Sequence, residues 1–115
     1  MATYSKIELS GNPADGRQIK IVATSTAGTT IHDADASAQD EIHLWAHNSD
    51  SEDRVLTIEW GGVVTPDDIF VFTVPAQDGW YPIAQGWILT GSKKVAGFAA
   101  AANVIIIQGF VNRIT

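Results

Sequence analysis

Strict alternation of side-chain character is the feature that most limits what this chain can fold into. Ile19, Ile21 and Ala23 alternate with Lys20, Val22 and Thr24. Ile42, Leu44 and Ala46 alternate with His43, Trp45 and His47, and Leu56, Ile58 and Trp60 alternate with Val55, Thr57 and Glu59. Phe70, Phe72 and Val74 alternate with Val71 and Thr73. Successive side chains of a strand point to opposite faces, so a period of two predicts strands with one face in a core. Turn chemistry separates these runs: Ser10-Gly11-Asn12-Pro13, Asp15-Gly16, Ala27-Gly28, Asn48-Ser49-Asp50-Ser51, Gly61-Gly62, Thr65-Pro66-Asp67-Asp68, residues 75–79 and Gly91-Ser92. No segment carries convincing helical periodicity. The alanine-rich residues 95–102 contain Gly97 and Phe98 and lead into Val104, Ile105, Ile106 and Ile107, so a strand is predicted there too. The spacing predicts an all-β fold, an antiparallel β-sandwich or jelly roll of about eight short strands.

The 115 residues suit a single β-sandwich domain over residues 1–115. A chain of this size buries roughly two-thirds of its unfolded surface, enough for a core without covalent staples. That matters because there is no cysteine, which excludes disulfides and thiolate metal sites. The last apolar stretch, residues 104–114, is apolar at nearly every position and predicts a central strand covered on both faces. The longest apolar run, residues 95–107, is interrupted by Asn103 and falls short of the roughly 20 residues of a membrane helix. Two buried strands joined at Ala101-Ala102-Asn103 account for it, and no membrane partner is expected. The start of the chain lacks the charged and apolar regions of a signal peptide. The net charge is −6, and the seven basic residues are scattered, with no stripe for tracking phosphates; nucleic acid is not an expected partner.

Three constellations raise the question of chemistry. His43 and His47 form an HxxxH pattern, which on a helix would place both on one face. On a strand, four residues span about 13 Å, too far for two ligands of one zinc, and the residue after His43 is Leu44, not the glutamate of zinc proteases. The expectation is a polar face shared by His43, Trp45 and His47. Residues 33–41, DADASAQDE, begin like a calcium loop with oxygens on Asp33, Asp35 and Ser37. The sixth position is Ala38 and the twelfth Leu44, so the pattern fails, and a solvated acidic loop is the simpler reading. The acids Asp33, Asp35, Asp40, Glu41, Asp50, Glu52 and Asp53 fall in turn sequences, where solvent keeps them ionised; glycosidase chemistry needs one carboxyl in an apolar setting. No nucleophile elbow or phosphate loop is present. The chain is expected not to be an enzyme, with no catalytic residues, no metal and no cofactor.

Four tryptophans, Trp45, Trp60, Trp80 and Trp87, are many for this length. Tryptophan and tyrosine are enriched in intermolecular contacts. Trp60 shares a face with Leu56 and Ile58 and is expected in the core. Trp45, Trp80, Tyr81 and Trp87 are the candidate interface residues.

Four stretches together resemble the small virion structural proteins of tailed bacteriophages, of the capsid decoration or cement class. They are RQIKIVATSTAGTTIHDA (residues 17–34), DEIHLWAHNSD (40–50), LTIEWGG (56–62) and ANVIIIQGFVNRI (102–114). The resemblance covers most of the chain, and its motifs are structural. It implies a virion protein on the capsid surface, assembled in the host bacterial cytoplasm. Its partners would be the major capsid protein and further copies of itself, with a trimer favoured. No functional residue is implied, because the class shares no active site. Two other readings stand beside it. One is a carbohydrate-binding or host-adhesion module of the virion, with Trp45, Trp80 or Trp87 as the stacking platform. The other is a small hydrolase or metal enzyme using His32, His43 and His47.

Overall fold

A computed structural model describes residues 2–115. Nine strands and no helix are present among them: β1 (Tyr4–Ile7), β2 (Ile19–Lys20), β3 (Thr29–Asp33), β4 (Gln39–Asn48), β5 (Arg54–Trp60), β6 (Ile69–Val74), β7 (Tyr81–Leu89), β8 (Lys94–Ala99) and β9 (Ile105–Ile114). All strand pairs are antiparallel, in two sheets that form a β-sandwich, as the alternation predicts. The first sheet runs β1-β9-β4-β7, with β2 also on β9; the second runs β3-β8-β5-β6. Ile42, Leu44 and Ala46 of β4 and Ile105, Ile107 and Val111 of β9 face Ile31, Leu56, Ile58, Val95 and Ala99 across the core. The inward residues are therefore those that the period of two selects.

The two lateral sides of the sandwich differ. On one side, residues 8–28 weave between the sheets. Gly11 N–H bonds Ile31 O, Ile21 N–H bonds Ile105 O, and Ala99 N–H bonds Ala23 O. Gly11 has to be glycine, because a Cβ there would lie 2.5 Å from the Thr30 carbonyl oxygen. On the other side, β7 ends the first sheet and β6 ends the second, and no strand covers either edge. Trp87 of β7 reaches across this side to Trp60 and Phe70, with ring centroids at 5.3 and 5.4 Å.

Two expectations need correction. The closing strand β9 is central, but it is buried on one face only. Ile106, Gln108, Phe110 and Asn112 are half-exposed on the outer face of the first sheet, where they shelter one another and the outward side chains of β4. Glu59 and Thr57 fall on the polar side of the β5 alternation, yet both are buried. Residues 23–28 cross the outer face of the second sheet as a strap. The Thr26 hydroxyl donates to one oxygen of Glu59, and Gly28 N–H donates to the other at 2.7 Å. The strap sits on the backbone of Gly97, so close that a Cβ on Gly28 would lie 2.6 Å from it. A shallow hollow beside the strap, lined by Gly28, Glu59 and Lys94 among others, is therefore built around a carboxylate whose oxygens are both already engaged.

Candidate binding faces

The buried polar residues make the nearest approach to a catalytic constellation. His32 of β3 and Asp40 of β4 are fully buried, and His32 Nε2 lies 2.8 Å from Asp40 Oδ2. Ser10 is adjacent, completing a serine–histidine–aspartate set. The hydrogen bonds show that it is not a nucleophile system. The Ser10 backbone N–H, not its hydroxyl, donates to His32 Nδ1 at 3.1 Å. Nδ1 is thus an acceptor, and the ring proton sits on Nε2 and is donated to Asp40. The Ser10 hydroxyl oxygen accepts the backbone N–H of Asp33 at 2.7 Å. No group is left to take a proton from the serine, and no substrate reaches a fully buried ring.

Arg113 of β9 completes this network with two parallel bonds to Asp40, from Nε to Oδ1 at 2.8 Å and from Nη2 to Oδ2 at 2.9 Å. The Asp35 backbone N–H adds a weaker bond to Oδ2. Burial pushes the Asp40 carboxyl up, but the Arg113 and His32 hydrogen bonds and the Arg113 charge outweigh it and hold the group below the usual aspartate range. The expectation of solvated acids in turns fails for Asp40, which sits on a strand under the side chain of Arg113. Asp35 is likewise committed to its own loop, where Oδ2 accepts the N–H groups of Ser37 and Ala38. Those bonds, from Ala38 first and Ser37 second, lower its carboxyl. Among the described residues no three histidine, aspartate or glutamate side chains are grouped to hold a metal ion. His32 is in the interior, whereas His43 and His47 lie on the outer face of β4, so the three histidines do not converge.

That outer face carries a row of rings crossing the first sheet. His47 Nδ1 donates to the carbonyl of Gly79 at 2.7 Å, and its ring lies 5.6 Å from Trp80. Trp45 stacks against Phe110 at 6.3 Å, and His43 lies on Phe110 at 4.6 Å. The Lys6 ammonium sits over the Phe110 ring, 4.4 Å from its centroid. Between Trp45, Trp80 and Gln108 is an open hollow of about 250 Å³. Polar groups border the row: Glu41 Oε1 accepts the side-chain N–H of Asn112 at 2.9 Å and lies 3.1 Å from His43 Nε2. These bonds, from Asn112 first, hold the Glu41 carboxyl below its ordinary value.

Of the four candidate interface residues, the structure thus brings Trp45 and Trp80 together. Trp87 belongs to the open side of the sandwich, with one edge of its indole in solvent. Tyr81 pairs with the inward Ala46 and packs on the core. Sequence reasoning missed Phe110, Gln108 and Lys6, which join this face only through the β4–β9 and β1–β9 pairings. It also missed the Asp40–Arg113 pair, 73 residues apart in sequence. Compared with known proteins, the chain matches no family model, no curated protein and no solved structure.

Proposed function

We propose that this chain is a non-enzymatic virion structural protein of the capsid decoration or cement class. In this reading it binds the major capsid protein on the outer surface of a tailed-phage shell, as a homo-oligomer with a trimer favoured, and stabilises the assembled particle. The observation that carries the reading is the asymmetry of the sandwich. One lateral side is stitched by residues 8–28, while the other leaves two strand edges and Trp87 in solvent, flanked by exposed Ile88 on the outer face of β7 and exposed Val71 on the outer face of β6. Exposed apolar side chains gathered beside uncovered edges favour contact with another chain. A symmetric oligomer or a capsid surface covers them equally well. The edge of β7 is unsuited to adding a strand. It contains Pro82, and it slips register twice against β4, leaving Ile83 and Gly86 unpaired. Contact through side chains, centred on Trp87, fits this side better. Binding only to assembled capsomers stabilises the shell by mass action.

The test is to add the purified protein to particles that lack it. The expected result is saturable binding, a higher heat tolerance of the particles, and sedimentation of the free protein as an oligomer. A folded variant carrying Ile88→Arg and Val71→Glu should lose all three properties. A monomeric protein that is absent from purified virions overturns the proposal.

A further inference from the structure

We infer that the hollow between Trp45 and Trp80 is a binding subsite for one neutral hexopyranose unit of a polysaccharide. The hollow lies on the outer face of the first sheet and Trp87 on its inner face, so its occupancy does not depend on the contact through Trp87 in the capsid reading.

Three features distinguish this hollow from an ordinary apolar patch. The first is preorganisation. Trp80 is 43% exposed, yet its indole rests on His47, and His47 is in turn fixed by the Gly79 carbonyl in the same turn. Trp45, opposite, is backed by Phe110. Rings already held in place by their neighbours lose little conformational entropy when a ligand lands on them. The second is size. At about 250 Å³ the hollow is below the roughly 300–1,000 Å³ of sites for drug-sized ligands, which leaves room for a single ring. The third is the pairing of chemistry. A pyranose has an apolar face of C–H groups and a hydroxylated rim. The two indoles offer flat apolar surfaces for the former. Gln108 offers polar contacts for the latter: its Oε1 accepts Gly109 N–H at 3.0 Å, which fixes the amide and leaves its NH₂ group as the free donor among the described residues.

The row continues past Trp45 to Phe110 and the Glu41–His43–Asn112 group, so neighbouring units of an extended chain would meet rings and hydrogen-bonding groups in turn. The net charge of −6 disfavours a polyanionic ligand, and no carboxylate among the described residues lines the hollow to pair with an amino sugar, which favours neutral sugars.

Titration with cellohexaose, maltohexaose, mannohexaose and the hexamer of N-acetylglucosamine, read by tryptophan fluorescence and by calorimetry, tests the inference without any capsid. At least one should saturate in the millimolar range or tighter. Trp80→Ala removes a half-exposed ring and should fold normally, with unchanged melting, while weakening that binding at least about tenfold. Trp87→Phe, on the open side of the sandwich, should leave it unchanged. Failure of all four sugars to bind, or equal affinity in a folded Trp80→Ala protein, overturns the inference.

Discussion

Asp40 shows how one buried charge is tolerated, and what the loss of its partner costs. The carboxylate is fully buried, and it is stabilised by a two-pronged guanidinium, an imidazole N–H and a backbone N–H. Removing one member of such a set leaves an uncompensated buried charge, which costs more than the intact pair contributes. Arg113→Met should therefore destabilise the protein by about 3 kcal/mol at neutral pH, read from urea unfolding. The pH dependence has a definite sign. The folded-state pKa of Asp40 is depressed, so the native state binds fewer protons than the unfolded state across the window between the two values. The stabilisation is present above the ordinary aspartate value of about 4 and is lost as pH falls through the depressed one. Unfolding free energies measured between pH 7 and pH 2 should fall steadily in the acid range for the wild type. They should fall less steeply for Arg113→Met, whose Asp40 has lost the hydrogen bonds and charge of Arg113 that do most to hold its pKa down. An equal acid slope in the two proteins would contradict this assignment.

Strand β9 pairs with three other strands over its ten residues, more than any other strand of the fold. It lies against β4 along its whole length and against β1 and β2 on the other side, and it supplies Ile105, Ile107 and Val111 to the core as well as Arg113 to Asp40. A protein lacking residues 110–115 should not fold, because it loses Val111, exposes the edge of β4 and strands the Asp40 charge. A soluble truncation with a cooperative melt would disprove this. Gly109 is the point where β9 lies tightest on β4, and a Cβ there would overlap the carbonyl of His43. Gly109→Ala should cost about 3 kcal/mol, measured as a lowered urea midpoint, since two backbones rather than a flexible side chain would have to move. How much of this was legible in the sequence depends on the range of each signal. The inward sets of β4, β5 and β6 were readable from local alternation, and so was the turn at Asn103, because both signals lie within a few residues. The burial of Glu59 was not, since it depends on a strap arriving from residues 23–28. Nor was the half-exposure of β9, because an apolar run reads the same whether a second layer covers it or neighbouring rings shelter it sideways. For the candidate binding faces, the tryptophans could be singled out by type. Which of them meet was decided by register: Trp45 and Trp87 both lie on paired strands of one sheet, but on opposite faces.

For the molecule as a whole, the apolar surface is distributed unevenly. The stitched side is held by main-chain bonds between the sheets. The open side carries Trp87, with Ile88 and Val71 on the flanking outer faces of β7 and β6, each more than two-fifths exposed. A net charge of −6 opposes indiscriminate association through such a surface, because like charges repel. The same charges weaken a specific contact, so an oligomer formed through this side should tighten with salt that screens them. Association also links stability to concentration, since a partner that binds only the folded chain stabilises it by mass action. The melting temperature of the wild type should therefore rise with protein concentration and with moderate salt. Ile88→Arg with Val71→Glu, which places charges on the outer faces of β7 and β6 without touching the core, should remove the concentration dependence while keeping a cooperative melt. A wild-type melting temperature that is independent of concentration would mean that this side is not closed by a second copy of the chain. Under the proposed capsid reading the shell would then be the cover of this side, and the free protein would be a monomer.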